Sequence, residues 1–185
     1  MRKVNVLPVI SDHLATLVDD RTAKRSWGDI VLFYAVPLLA GLVVVFVGFE
    51  ASDEVFSMSI AVAAVFAALL FSAQIGVYTV SLRSRSLPDD PIARSDLLAK
   101  VLQQEKLFSQ VNANISYLIL ISCLILVIML VLLAVSISPK FELAVLVVML
   151  SHFVLTLLMI IKRTHIAFKI DYISRNDDRN RSGVN

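Results

Sequence analysis

Four long apolar runs organise the chain. They extend from about Ile30 to Phe49, Val55 to Leu82, Ile115 to Ile137 and Phe141 to Ile161. At 1.5 Å of rise per residue, a run of about 20 residues crosses roughly 30 Å of hydrocarbon. The second run is longer than that, so it must tilt or project beyond the bilayer. The first three runs contain no Asp, Glu, Lys or Arg, and Glu142 stands at the edge of the fourth. Charged side chains would be costly at the bilayer centre. A β-barrel would instead alternate polar and apolar residues over strands of about 10 positions.

The runs are joined in pairs by short links, Glu50 to Glu54 and Ser138 to Lys140. The pattern predicts an all-α membrane protein with four transmembrane helices, arranged as two antiparallel hairpins with cytoplasmic helical extensions. The segments are a leader (1–28), hairpin one (29–82), a connector helix (83–114), hairpin two (115–161), and an extension with a mobile tail (162–185).

In the connector, Pro88-Asp89-Asp90-Pro91 breaks the chain, and Asp90 can cap a helix that has Pro91 at its first position. Leu97, Leu98, Val101, Leu102 and Phe108 follow at mostly helical spacing. They form a candidate partner-binding face on a helix that runs into the third span. Ile166, Ile170 and Ile173 extend the fourth span in the same way. The expectation is a small helical bundle outside the membrane. The alternative is that these amphipathic stretches lie on the lipid surface, which Arg94, Lys100 and Lys106 would suit. In the leader, Pro8 and Ser11 can start a short helix carrying Leu14, Leu17 and Val18, either docked on the bundle or resting on lipid. Residues 176–183 are polar and predict a mobile tail.

Composition strengthens the membrane reading. The chain is 58% hydrophobic, against about 45–50% for soluble domains. Its mean hydropathy is +0.81. A net charge of +2 implies no nucleic-acid surface. Cys123 has no intrachain disulfide partner and no zinc-like neighbours, and is expected to be a packing residue. The polar leader is too long for a secretory signal and no small-residue cleavage site follows the first run, so that run is expected to be a retained span.

Charge also orients the chain. Of 17 Lys and Arg, 16 fall in the leader, the connector or the C-terminal segment, and Lys140 alone falls on the other side. The positive-inside rule then puts both termini and the connector in the cytoplasm. Trp27, Tyr34, Tyr78 and Tyr117 lie near that boundary, where amphipathic aromatics are favoured.

Few residues offer chemistry. His152, near the middle of the fourth span, and Gln74, in the second, are the candidate intramembrane polar sites. Each can line a pore, but each more commonly bridges helices. Small residues four apart in the second span (Ala63 and Ala67, Ala64 and Ala68, Ser72 and Gly76) are candidates for close helix packing. Pro37 can kink the first span. Asn112 and Asn114 stand where the connector enters the membrane, within reach of headgroups or a partner. HExxH, GxSxG and Walker patterns are absent, as are paired intramembrane acids. No enzymatic activity, cofactor or metal is expected.

The expected function is a homo-oligomeric membrane sensor or effector that contacts lipid and engages a cytoplasmic protein. A small ion channel and a scaffold of a larger membrane complex are the alternatives. In chain size, number of spans and placement of both ends, the layout resembles small four-span membrane proteins of bacterial antiphage defence, in particular the membrane subunit of Kiwa-type systems. The resemblance is one of layout: no motif carries it, including Arg21-Thr22-Ala23-Lys24-Arg25-Ser26-Trp27, and no functional residue is transferred. It implies a homo-oligomer, a soluble DNA-binding partner in the cytoplasm and detection of infection at the membrane.

Overall fold

The structure, a computed structural model, describes residues 5–17, 27–81, 91–135 and 138–182. The proposed Asp90 cap and Val18 lie outside the described residues, as does the side chain of Leu97. Every regular element described is helical, and four helices are long and apolar enough to cross a membrane.

The leader helix α1 spans Leu7–Ala15, with Pro8 in its first turn, where a missing N–H costs nothing. Helix α2 covers Trp27–Val47. It is interrupted by a π-helical stretch, Val31–Ala35, immediately before Pro37. It ends at Gly48, whose φ of 80° is favourable only for glycine and whose N–H bonds to the Val44 carbonyl at 3.0 Å. Helix α3 is Asp53–Ser81, with Asp53 and Glu54 favourably placed in its first turn. Helices α4 (Pro91–Val135, 45 residues) and α5 (Pro139–Ser182, 44 residues) each open on a proline. The connector helix and third span are therefore one unbroken helix. The fourth span continues as helix through Ser182, where composition alone predicts a mobile tail.

Helix α4 is the centre of the molecule, packing against α1, α3 and α5, and α2 packs on α5. The sequence pairs α2 with α3 across their short link, yet these two helices share no packing contact. The cause is visible in the buried positions. In α3, Phe56, Ala63, Leu70 and Val77 are buried, seven residues apart. In α5 the same spacing holds for Leu146, Phe153, Ile160 and Ala167. Helix α4 alternates threes and fours: Phe108, Val111, Ile115, Leu118, Ser122, Ile125, Met129 and Leu132. Such seven-residue seams are those of supercoiled helices with knobs-into-holes packing. They commit α3 to α4. The link of residues 48–52 reaches up to about 17 Å when extended, enough to join helices that are not neighbours.

Helix α2 is committed to α5 by Gly41. A Cβ there would collide with the Val148 side chain and stand 3.1 Å from the Ala144 carbonyl oxygen. Gly41 thus marks a close helix approach in the first span, while most of the small residues of the second face outward. Of those, Ala63 is buried and Ala67 half-buried, while Ala64, Ala68, Ser72 and Gly76 line an exposed face. Nothing lies within 4 Å of a Cβ placed on Gly76.

The outward faces are apolar. Leu38, Leu42, Phe46, Phe71, Val127 and Leu130 are all more than half exposed. Soluble proteins rarely show apolar patches of this extent, and a bilayer is their natural solvent. Cys123 is exposed among them, so it is not the packing residue its type suggests. Trp27 and Tyr78 are exposed as interfacial aromatics should be, but Tyr117 turns into the core and Tyr34 is half-buried. Glu142, inside the fourth apolar run, is buried near the start of α5.

Candidate functional site

Several buried polar groups, among them His13, Thr16, Asn114 and Thr156, converge where α1, α2, α4 and α5 meet. The arrangement begins with Pro37. An α-helix would satisfy the Phe33 carbonyl with the N–H of residue 37, and proline has none. That carbonyl instead accepts a hydrogen bond from His152 Nδ1 at 2.8 Å. The π-helical turn around Phe33 is the local backbone that presents it, a common role for such turns.

Because a carbonyl only accepts, Nδ1 of His152 carries the hydrogen. The neutral ring then accepts at Nε2, from the Tyr117 hydroxyl at 2.8 Å. His152 thereby ties α5 to both α2 and α4. Thr156 sits one turn on and returns its hydroxyl to the His152 carbonyl at 2.9 Å. The Tyr34 ring covers the imidazole, with centroids 5.1 Å apart. A small apolar cavity of about 200 Å³ lies beside the cluster, lined in part by Pro37, Tyr34, Val148 and His152.

Tyr117 carries the chain of contacts to the leader. His13, on α1, stacks flat on its ring, with centroids 3.8 Å apart and 3° between the planes. Nδ1 of His13 donates to Asn114 Oδ1 at 2.7 Å. The Thr16 hydroxyl stands 2.7 Å from the His13 carbonyl and 3.0 Å from the same Asn114 oxygen. Arg163, on α5, donates to the Thr16 carbonyl at 2.6 Å. His13, Asn114 and Leu17 are at most 1% exposed. Among the described residues, His13 Nε2 and Asn114 Nδ2 are buried with no hydrogen-bond partner. Burial pulls the His13 imidazole down from the usual 6.5 to about 4. The Asn114 bond opposes that shift, and His152 and Arg163 add to it.

Gln74 belongs to a neighbouring polar patch. Its amide donates to Ser116 Oγ at 2.8 Å and Asn112 Oδ1 at 3.2 Å, bridging α3 to α4. Asn112 and Ser109 also line two adjoining clefts of about 400 and 320 Å³ on either side of α4. Gln74→Leu should weaken the α3–α4 pairing by about 1 kcal/mol, the usual scale for one interhelical hydrogen bond in a membrane. Reversible unfolding in mixed micelles measures this.

Within one chain, then, His152 and Gln74 bridge helices. The candidate partner-binding face divides. Leu98 and Leu102 are exposed at 43% and 65%, Val101 is half-buried, and Phe108 belongs to the core, edge-on to Phe168 at 6.0 Å. Asn114 faces the leader rather than headgroups. His13, Tyr117 and Arg163 are central to the site, and sequence reasoning passed over them as site residues. Two signals were present: Pro37 stands four residues after Phe33, and His13, Thr16 and Leu17 follow one another at helical spacing at the end of α1. Comparison of the chain with protein-family models, curated proteins and solved structures finds no match.

Proposed function

We propose that the chain is a homo-oligomeric sensor or effector of the bacterial inner membrane, with both termini in the cytoplasm, that engages a soluble protein partner in antiphage defence. The observation that carries this reading is the polar relay from Phe33 of α2 through His152 and Tyr117 to His13 of α1. It links a lipid-facing span to a helix outside the spans, which is the coupling a membrane sensor needs. Further support comes from α4, which extends past its apolar run and exposes Leu98, Leu102 and Ile92. Apolar side chains of this kind suit a protein partner. The outward small-residue face of α3, Ala64 to Gly76, suits a second copy of the chain.

The test is phage challenge of cells carrying the gene in its native locus. Leu98→Asp with Leu102→Asp should abolish protection while membrane level and oligomer size stay those of the wild type. A reporter fused at Asp53 should read as non-cytoplasmic. Protection unchanged by the paired substitution, or ion flux through the purified protein in liposomes, would count against this reading.

A further inference from the structure

The seat of α1 holds a buried titratable ring near two groups, His152 and Arg163, that disfavour its charged form. His13 is fully buried where α1 packs on α4, with His152 and Arg163 of α5 close by. On one side lies the Tyr117 ring, stacked at 3.8 Å. On the other sides lie the Asn114 amide, the edge of His152 at 6.5 Å and the Arg163 guanidinium. Tyr34 of α2 reaches this cluster through His152. None of these groups is an acid. A second proton on His13 must go to Nε2, which has no acceptor among the described residues and would become a buried N–H beside a guanidinium. The rest of the seat is modest in size, with Thr16 and Leu17 as the other fully covered residues of this segment.

We propose that α1 is a proton-released clasp: it stays docked across α4 and α5 while His13 is neutral and leaves when His13 is protonated, uncovering Asn114, Tyr117 and Arg163. The proposal does not depend on the identity of the partner or on antiphage function. It stands on the contacts of α1 alone. The sign follows from linkage. The docked ring holds its proton less tightly than a free histidine, so docking is strongest above the free value of about 6.5 and is lost as the pH falls toward the docked value. With the docked value near 4, the docking constant falls about thirtyfold by pH 5 and more than a hundredfold by pH 4. Below that pH it falls little further.

The experiment uses the full chain in liposomes with Cys123→Ala and spin labels at Val9→Cys and Ala113→Cys, which line one cleft between α1 and α4. The expected result is a single short distance at pH 7.5, with a long component growing between pH 6.5 and 4 and reversing on return. Circular dichroism should show the spans still helical. In His13→Gln, which cannot gain a proton, the short distance should persist at pH 4. In His13→Arg the long distance should dominate at every pH. The proposal is overturned if the wild-type distance stays short down to pH 4, or is already long at pH 7.5. It is equally overturned if His13→Gln releases α1 with the wild-type midpoint, since another group would then be responsible.

Discussion

Gly41→Leu is expected to separate α2 from α5 and to destabilise the protein by several kcal/mol. A leucine must displace both the Val148 side chain and the backbone at Ala144, whose oxygen is 3.1 Å from the first added carbon. Overpacking against a movable side chain costs about 1–3 kcal/mol. A helix backbone cannot yield locally, so the expected cost is at the top of that range, with α2 becoming protease-sensitive in detergent. Gly76→Leu is the control. Nothing lies within 4 Å of that position, so the fold of the single chain should tolerate it. If the two variants unfold at the same denaturant concentration, the α2–α5 crossing does not hold the fold together.

The second large effect is expected at His152. His152→Ala strands the Phe33 carbonyl and removes one of the partners of the Tyr117 hydroxyl, which keeps its bond with Tyr34. The unpaired carbonyl costs about 1–3 kcal/mol and the lost hydroxyl bond about 1 kcal/mol, so a loss of about 2–4 kcal/mol is expected. The origin of that loss can be separated by Pro37→Ala. Alanine returns an N–H to the helix, allowing the Phe33 carbonyl to close an α-helical bond of its own. The double variant should therefore be clearly less destabilised than the sum of the two single ones. Strict additivity would mean that Pro37 does not create the acceptor that His152 uses. Tyr117→Phe removes the hydroxyl but keeps the ring on which His13 stacks, and should cost about 1 kcal/mol.

Hydropathy made the spans legible, because lipid demands unbroken apolar stretches, and it marked their ends well. It did not reveal which helices pair. In α3 and α5 the buried and lipid-facing positions carry the same residue types: Leu70 is buried and Leu69 exposed. Polarity therefore draws no face in a membrane span. Only the seven-residue recurrence of burial does, and that recurrence is hidden when every position is apolar. Small residues mislead for the same reason. Ala64, Ala68 and Ser72 form a neat row yet face outward, while the single Gly41 makes the close contact. His152 and Gln74 were legible because polarity is rare in a span. His13 was not, because a histidine in a polar leader is ordinary until a helix is docked over it. Tyr117 illustrates the same limit: its position near the boundary suits an interfacial anchor, but its hydroxyl is taken by His152.

The length of α4 sets a mechanical scale. Its 45 residues make a rod of about 68 Å, more than twice the hydrocarbon thickness. The Phe108–Leu132 seam clamps one half of it against α3 and α5. The other half, from Pro91 onward, is continuous helix with no hinge residue between it and the clamp. A tilt of about 5° about the middle of the clamp moves Leu98 and Leu102, about 33 and 27 Å away, by about 2–3 Å. Thinning or bending of the bilayer that rocks the clamped half is thereby amplified into a displacement of atomic size at Leu98 and Leu102.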